Sequence, residues 1–148
     1  MKNKTFVEKI FDADCGSIVF KKPDIVLTHD NTASIKKTFD KMGGSKFADP
    51  NQLLIVLDHN APPTNAKLAT QYQEVRNIVK EQGVEKFYDA GKGICHQIMS
   101  YHAEPGMVIV GSDSHTCTAG AFNAMAAGID RTEAAGLWKR GETWFRVP

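Results

Sequence analysis

The stretch Val108-Ile109-Val110-Gly111-Ser112-Asp113-Ser114-His115-Thr116-Cys117-Thr118-Ala119-Gly120 decides the fold. A β-branched apolar run stops at a glycine, and five polar residues follow. Residues 119–128 are then dominated by alanine and glycine and read as a tightly packed helix. Strand, polar turn and helix form one unit of an open α/β sheet, whose ligands sit outside the carboxyl ends of the strands. That order places Asp113, Ser114 and His115 on the ligand edge, where free backbone N–H groups at a helix start suit an anion. The same stretch also fits an ordinary connection in which Thr116 or Thr118 caps the helix.

The pattern recurs upstream, and the recurrence favours a site. Ile25-Val26-Leu27-Thr28 runs into His29-Asp30-Asn31-Thr32, and Leu54-Ile55-Val56-Leu57 runs into Asp58-His59-Asn60. Phe87-Tyr88 is followed by Asp89-Ala90-Gly91-Lys92-Gly93-Ile94-Cys95-His96-Gln97. Four of the five histidines therefore stand just past a strand-like run. If the strands are parallel, His29, His59, His96 and His115 gather on one edge.

Working outward, helical spacing of Phe6, Val7, Ile10 and Phe11 predicts a helix over residues 4–13. Residues 17–20 read as a short edge strand and 24–28 as the first clear one. A helix over 33–42 buries Ile35, Phe39 and Met42 and ends at Gly43-Gly44. The apolar run within 52–57 has the continuity of a strand buried on both faces, as in a parallel sheet. A long helix follows from Thr64 or Asn65 to Gln82, with Gly83 as its C-cap. Residues 85–89 and 107–111 are further strands, with one or two helical turns over 94–101 between them. Residues 132–139 form a helix and 142–147 an extended segment. This alternation predicts a single three-layer α/β/α domain over residues 1–148, with a mostly parallel, doubly wound sheet.

Composition bounds the rest. The 148 residues are 42% hydrophobic and 24% charged, with a net charge of +1 and acids and bases intermixed. No basic block points to nucleic acid as a partner, and no apolar run approaches the roughly 20 residues that span a membrane. Three cysteines, Cys15, Cys95 and Cys117, have no CxxC spacing, so a disulfide framework is not expected and a reducing, cytoplasmic location is. The run Glu142-Thr143-Trp144-Phe145-Arg146-Val147-Pro148 is strand-like and aromatic. It reads as though sequence should follow, leaving an apolar patch around Trp144 and Phe145.

A histidine beside a carboxylate is the usual acid–base unit, the carboxylate orienting the ring and raising its basicity. Asp58-His59 and Asp113-x-His115 offer two such units. Neighbours on an extended segment point apart, so the working contact is expected to cross between loops, for example from Asp113 to His96. Ser114 lacks the G-x-S-x-G elbow of a serine hydrolase and is read as a substrate contact. A metal site built from the histidines and aspartates is a competing reading, although no HxH or HExxH spacing supports it. Cys95 and Cys117 are expected to fill small buried volumes, and His102 to be exposed in a polar loop.

Taken together and in order, Leu27-Thr28-His29-Asp30-Asn31-Thr32, Val56-Leu57-Asp58-His59-Asn60, Gly93-Ile94-Cys95-His96-Gln97 and Gly111-Ser112-Asp113-Ser114-His115-Thr116 resemble the aconitase-family dehydratases. The likeness is greatest to the large subunits of 3-isopropylmalate dehydratase, homoaconitase and 2,3-dimethylmalate dehydratase. It runs over essentially the whole chain. It implies the fold of the first aconitase domain and a [4Fe–4S] hydro-lyase that removes water from a hydroxy di- or tricarboxylic acid and re-adds it at the neighbouring carbon. By the resemblance, His59 protonates the leaving hydroxyl with support from Asp58. His96 and Asp113 form a His–carboxylate pair, and His115 lies near the reacting oxygen. Ser114, His29 and Asp30 contact substrate, His29 standing where aconitases carry a glutamine. The family's cluster cysteines, including a CxxC, have no counterpart among Cys15, Cys95 and Cys117. The resemblance therefore implies that the cluster ligands lie downstream, that the arginine clamps lie in a later domain or a separate small subunit, and that a small subunit supplies the serine base. On this reading the chain is the N-terminal part of a large subunit and inactive alone. A non-catalytic dicarboxylate-binding module, an RNA-binding relative and a mononuclear metal hydrolase are the competing classes.

Overall fold

A computed structural model describes residues 3–148. Five parallel strands form the central sheet: β2 (Ile25–Thr28), β3 (Leu53–Val56), β4 (Lys86–Tyr88), β5 (Val108–Gly111) and β6 (Met125–Gly128), in the order β4-β3-β2-β5-β6. The chain enters the sheet at the central strand β2, winds outward through β3 to β4, then crosses back to β5 and β6. The order reverses between β2 and β5, whose register sets Ile25 beside Ile109 and Leu27 beside Gly111. That gap is the topological switch point at which open α/β sheets bind ligands.

Side-chain alternation divides the core in two. Val26, Leu53, Ile55, Val108 and Val110 face α2 (Thr32–Lys41), α3 (Ala66–Gln82) and α5 (Arg131–Arg140), packing with Ile35, Phe39, Tyr72, Val75 and Trp138. Ile25, Leu27, Leu54, Val56 and Ile109 face α4 (Cys95–Ser100) and a 3₁₀ helix (Thr116–Phe122), packing with Ile98, Met99 and Ala119. Helices on both faces of a parallel sheet give the expected three layers. The caps follow sequence chemistry: Asn65 accepts from the Leu68 N–H to start α3, and Gly83 ends it at φ 71°. Asp130 starts α5 by accepting from the Thr132 and Glu133 N–H groups.

The helix expected over residues 119–128 is not formed. A 3₁₀ helix ends at Asn123, which takes the left-handed conformation, and Met125–Gly128 turns back as edge strand β6 beside β5. Alanine prefers helix by only a few tenths of a kcal/mol over most residues, so pairing with β5 prevails. Small residues are needed there for another reason. A Cβ on Gly128 would lie 3.0 Å from the Asp113 carbonyl, and one on Gly111 would lie 2.5 Å from Thr116 Oγ1 and 3.0 Å from Leu27 Cβ. The loop after β5 is folded down onto the strand ends, and these glycines permit it.

The strand expected over 17–20 is β1 (Ile18–Lys21), but it does not edge the main sheet. It pairs antiparallel with β7 (Thr143–Arg146) in a separate ribbon. α1 (Phe6–Phe11), closed by a Thr5–Glu8 capping box, lies under it. Phe145 faces inward onto Phe11, ring centroids 5.0 Å apart, and Leu137 and Trp138 are buried. The apolar patch expected around Trp144 and Phe145 is therefore displaced. Strand alternation puts Phe145 in the core and leaves Trp144 outward with Ile18 and Phe20.

Candidate active site

Because the strands are parallel, their carboxyl ends share one edge, and the four histidines meet there as expected. Loop residues His29–Asn31 follow β2, Asp58–Asn60 follow β3, His96 lies in α4 beyond β4, and Ser112–His115 follow β5. Asn31 ties the switch point shut. Its amide donates to the Ser112 carbonyl (3.1 Å) and its Oδ1 accepts from the Ser112 hydroxyl (3.0 Å).

Asp113 is the hub. One oxygen lies 3.0 Å from His96 Nε2 and accepts from the His115 N–H at 2.7 Å. The other lies 3.3 Å from His59 Nε2. The Asp113–His96 contact between loops is the one expected. Asp58 and His59 do not point apart as neighbours on a strand would, because β3 ends at Val56 and both residues lie beyond it. Asp58 Oδ1 sits 2.7 Å from His59 Nδ1, while its Oδ2 accepts from the Cys95 N–H at 2.7 Å. His59 is thus gripped at both ring nitrogens. His29 stacks on it, centroids 3.9 Å apart and planes 20° from parallel. His29 Nδ1 is buried with no hydrogen-bond partner among the described residues. Ser114 is exposed, its hydroxyl 3.1 Å from His115 Nδ1, and His115 projects into solvent.

The charges follow from these contacts. Burial works to raise the pKa of the Asp58 carboxyl, but the Cys95 N–H and the His59 ring outweigh it and hold Asp58 below the usual carboxylate range. Burial likewise opposes ionisation of Asp113, and the His115 N–H with the surrounding imidazoles overcomes it. For His59, burial disfavours the imidazolium, but the Asp58 hydrogen bond and charge win and raise its pKa above that of a free imidazole. His29 is pushed down, by burial first and by its neighbour His59 second. Burial beside Asp58 pushes the Cys95 thiol well above its ordinary value. The surroundings thus favour the ionised form of both aspartates, the protonated form of His59 and the neutral form of His29.

Asp30 occupies a different place from the other loop residues. Its Oδ1 accepts from the Asp58 (3.1 Å) and His59 (3.3 Å) N–H groups, and its Oδ2 from Asn60 Nδ2 (3.0 Å) and the Tyr72 hydroxyl (2.8 Å). Four donors fill a carboxylate's acceptor sites. Tyr72, a buried residue of α3, is the brace behind this loop. No motif flagged it, nor Asn31's bridge, because both act across elements distant in sequence. His102 is half-buried rather than exposed, its Nε2 2.7 Å from the Tyr88 hydroxyl. Cys95 fills a buried volume as expected, but Cys117 is exposed.

A cleft of about 430 Å³ opens over the cluster, lined by Asp58, His59, Ile94, Cys95, His96, Asp113 and His115. His96, Asp113 and His115 bring ligand atoms within 4.8 Å of one another, a set able to hold a single metal ion. The thiols do not fit an iron–sulfur cluster, which is held by several cysteines. Cys15 and Cys117 are exposed, and no grouping of ligand atoms among the described residues contains two thiols.

Comparison with known proteins places this architecture. The sequence model of the aconitase family (aconitate hydratase) matches residues 3–148. The chain belongs to the aconitase family. It is 41% identical to the 3-isopropylmalate dehydratase large subunit 1 of Methanopyrus kandleri, aligned over 98% of this chain and 37% of that protein. It is 37% identical to the methanogen homoaconitase large subunit of Methanocaldococcus jannaschii, over 97% of this chain and 36% of that one. It is 41% identical to the mitochondrial homoaconitase of Aspergillus niger, over 90% of this chain and 17% of that one. The chain therefore spans little more than a third of its archaeal relatives' length. No helix among the described residues is long and apolar enough to cross a membrane.

Proposed function

We propose that this chain supplies the proton-handling side of an aconitase-type hydro-lyase acting on a hydroxy di- or tricarboxylic acid. The observation that supports it is the chain of contacts Asp58–His59–Asp113–His96 at the switch point. Asp58 fixes one His59 nitrogen at 2.7 Å, so the proton available for transfer is on Nε2, where the Asp113 contact is longer at 3.3 Å. In the dehydration direction, His59 gives that proton to the leaving hydroxyl, which departs as water while a base removes a proton from the adjacent carbon. Rehydration reverses both transfers. Asp113 holds His96 as the second acid–base pair. His115 lies beside the reacting oxygen, and His29 and Ser114 contact substrate. Asp30, its oxygens already occupied, positions the 58–60 loop. The small subunit implied by the relatives' names brings the serine base, and the cysteines of the implied [4Fe–4S] cluster lie outside this chain.

The finer reading is interconversion of 2- and 3-isopropylmalate, in leucine biosynthesis. Homoaconitase specificity is the second reading, since relatives of that name are as similar. A non-catalytic dicarboxylate-binding module is the third. The test is a chimera in which this chain replaces the matching third of the Methanopyrus kandleri large subunit, assayed with its small subunit. Turnover of isopropylmalate is followed by absorbance of the unsaturated product, with the homoaconitase substrate in parallel. His59→Asn is expected to lower kcat by about 10²–10⁴ with little change in KM, because proton transfer is made only in the transition state. A His59→Asn chimera as fast as its parent, or a parent that turns over neither acid, overturns the proposal.

A further inference from the structure

Two cavities flank the histidine cleft, and one side chain lines both. The larger, about 770 Å³, is bounded by Ser112, Asp113, Ser114 and the start of α5. The smaller, about 300 Å³, is bounded by His29, Asn31, Ser34, His59 and Asn60. Arg131, the first residue of α5, is common to them. Among the described residues, no other lysine or arginine lines either cavity or the cleft between them.

The charge around this edge is otherwise unfavourable to an acid. Asp30, Asp58, Asp113 and Asp130 all face one or another of the three cavities. Each is committed to donors of the protein itself, Asp130 to the Thr132 and Glu133 N–H groups. Arg131 by contrast is exposed, and among the described residues it makes no ion pair or side-chain hydrogen bond. Its neighbour Asp130 is turned into the helix start. A di- or trianion entering here meets several carboxylates and, among the described residues, a single guanidinium. A guanidinium answers a carboxylate with two parallel N–H donors in a planar fork, which fixes orientation as well as charge.

We infer that Arg131 anchors a carboxylate of the hydroxy acid remote from the reacting carbon, while the hydroxyl-bearing end lies against His59, His96 and Asp113. This inference rests on the hydroxy-acid reading proposed above. It makes Arg131 a specificity residue that separates dicarboxylates from monocarboxylates, supplied by this chain itself.

Calorimetric titration of the chain with 2-isopropylmalate and with 2-hydroxy-4-methylpentanoate, which has a single carboxylate, tests it. The wild-type chain is expected to prefer the dicarboxylate. Arg131→Gln is expected to weaken dicarboxylate binding at least tenfold and to change the monocarboxylate Kd less than twofold, erasing the preference. Arg131→Lys, a point charge without the fork, falls between. Arg131→Gln with the preference intact overturns the anchor. His96→Asn is expected to weaken both acids alike. If His96→Asn leaves both affinities unchanged while Arg131→Gln matters, the hydroxy-acid placement fails and the anion anchor stands. A wild-type chain that binds neither acid overturns both.

Discussion

Replacing Asp30 by alanine removes the acceptor for four donors at once, and the cost is set by which of them water can reach. The bonds from the His59 N–H and Asn60 Nδ2 are exposed, so solvent replaces them at little cost. Those from the Asp58 N–H and the Tyr72 hydroxyl are part-buried, and Tyr72 is only 1% exposed. A hydrogen bond to a charged partner contributes about 1.5–3 kcal/mol, and a buried donor left unsatisfied costs about 1–3 kcal/mol. With partial rehydration of Asp58, Asp30→Ala should destabilise by about 2–4 kcal/mol. In a domain of this size that lowers Tm by about 4–16 °C. Tyr72→Phe keeps three of the four bonds and should cost about 1.5–3 kcal/mol, and the double mutant should cost less than the sum of the two. Thermal melting followed by circular dichroism measures both. Nuclear magnetic resonance titration supplies a readout that loss of stability alone does not move: with its loop released, His59 should titrate closer to an unperturbed histidine. An Asp30→Ala chain that melts within a degree of wild type with an unshifted His59 would refute the bracing argument.

The same titration tests the local field, because Asp58→Asn removes the main cause of the raised His59 pKa and should lower it. A raised folded pKa contributes stability that is complete below the unfolded value near 6.5 and is lost as pH rises through the folded value. The Tm advantage of wild type over His59→Asn should therefore shrink as pH rises above 6.5, while His29 and His102, whose pKa values are lowered, act in the opposite sense equally in both chains. Gly111→Ala forces a methyl against the buried Thr116 hydroxyl and should destabilise by about 1–3 kcal/mol in urea unfolding. Iodoacetamide should label Cys15 and Cys117 and spare Cys95, shown by mass spectrometry of the native protein.

What could be read from sequence was whatever is encoded locally. Strand ends announced themselves as apolar runs halted by polar residues, so the histidine edge and the parallel sheet were legible from phase alone. The Asp113–His96 pair was reachable because both residues carry chemistry and both loops had been placed. The 119–128 segment was misread because alanine and glycine are small for two different reasons. Alanine favours helix when exposed, whereas both residues permit close approach when a loop is folded over a strand, as at Gly128 beneath Asp113. Tyr72, Asn31 and Arg131 were not legible as site residues. Their partners stand 42 and 81 residues away for Tyr72 and Asn31, and the significance of Arg131 depends on which cavities happen to meet beside it.

The pairing of β2 with β5 has a kinetic meaning as well. It joins segments more than 80 residues apart, and the loop-closure entropy of such a contact is paid before any of its hydrogen bonds is formed. β2 can pair with β3 early, from nearby sequence, but the Asn31–Ser112 clasp and the Asp113 hub exist only once β5 has been inserted on β2's other side. The histidine cluster is thus assembled by the slowest-closing contact in the sheet. A ligand seated there binds only chains whose central pair has closed, so its occupancy counts finished sheets rather than collapsed ones. Recovery of ligand binding after dilution from denaturant should accordingly lag behind the recovery of helical signal.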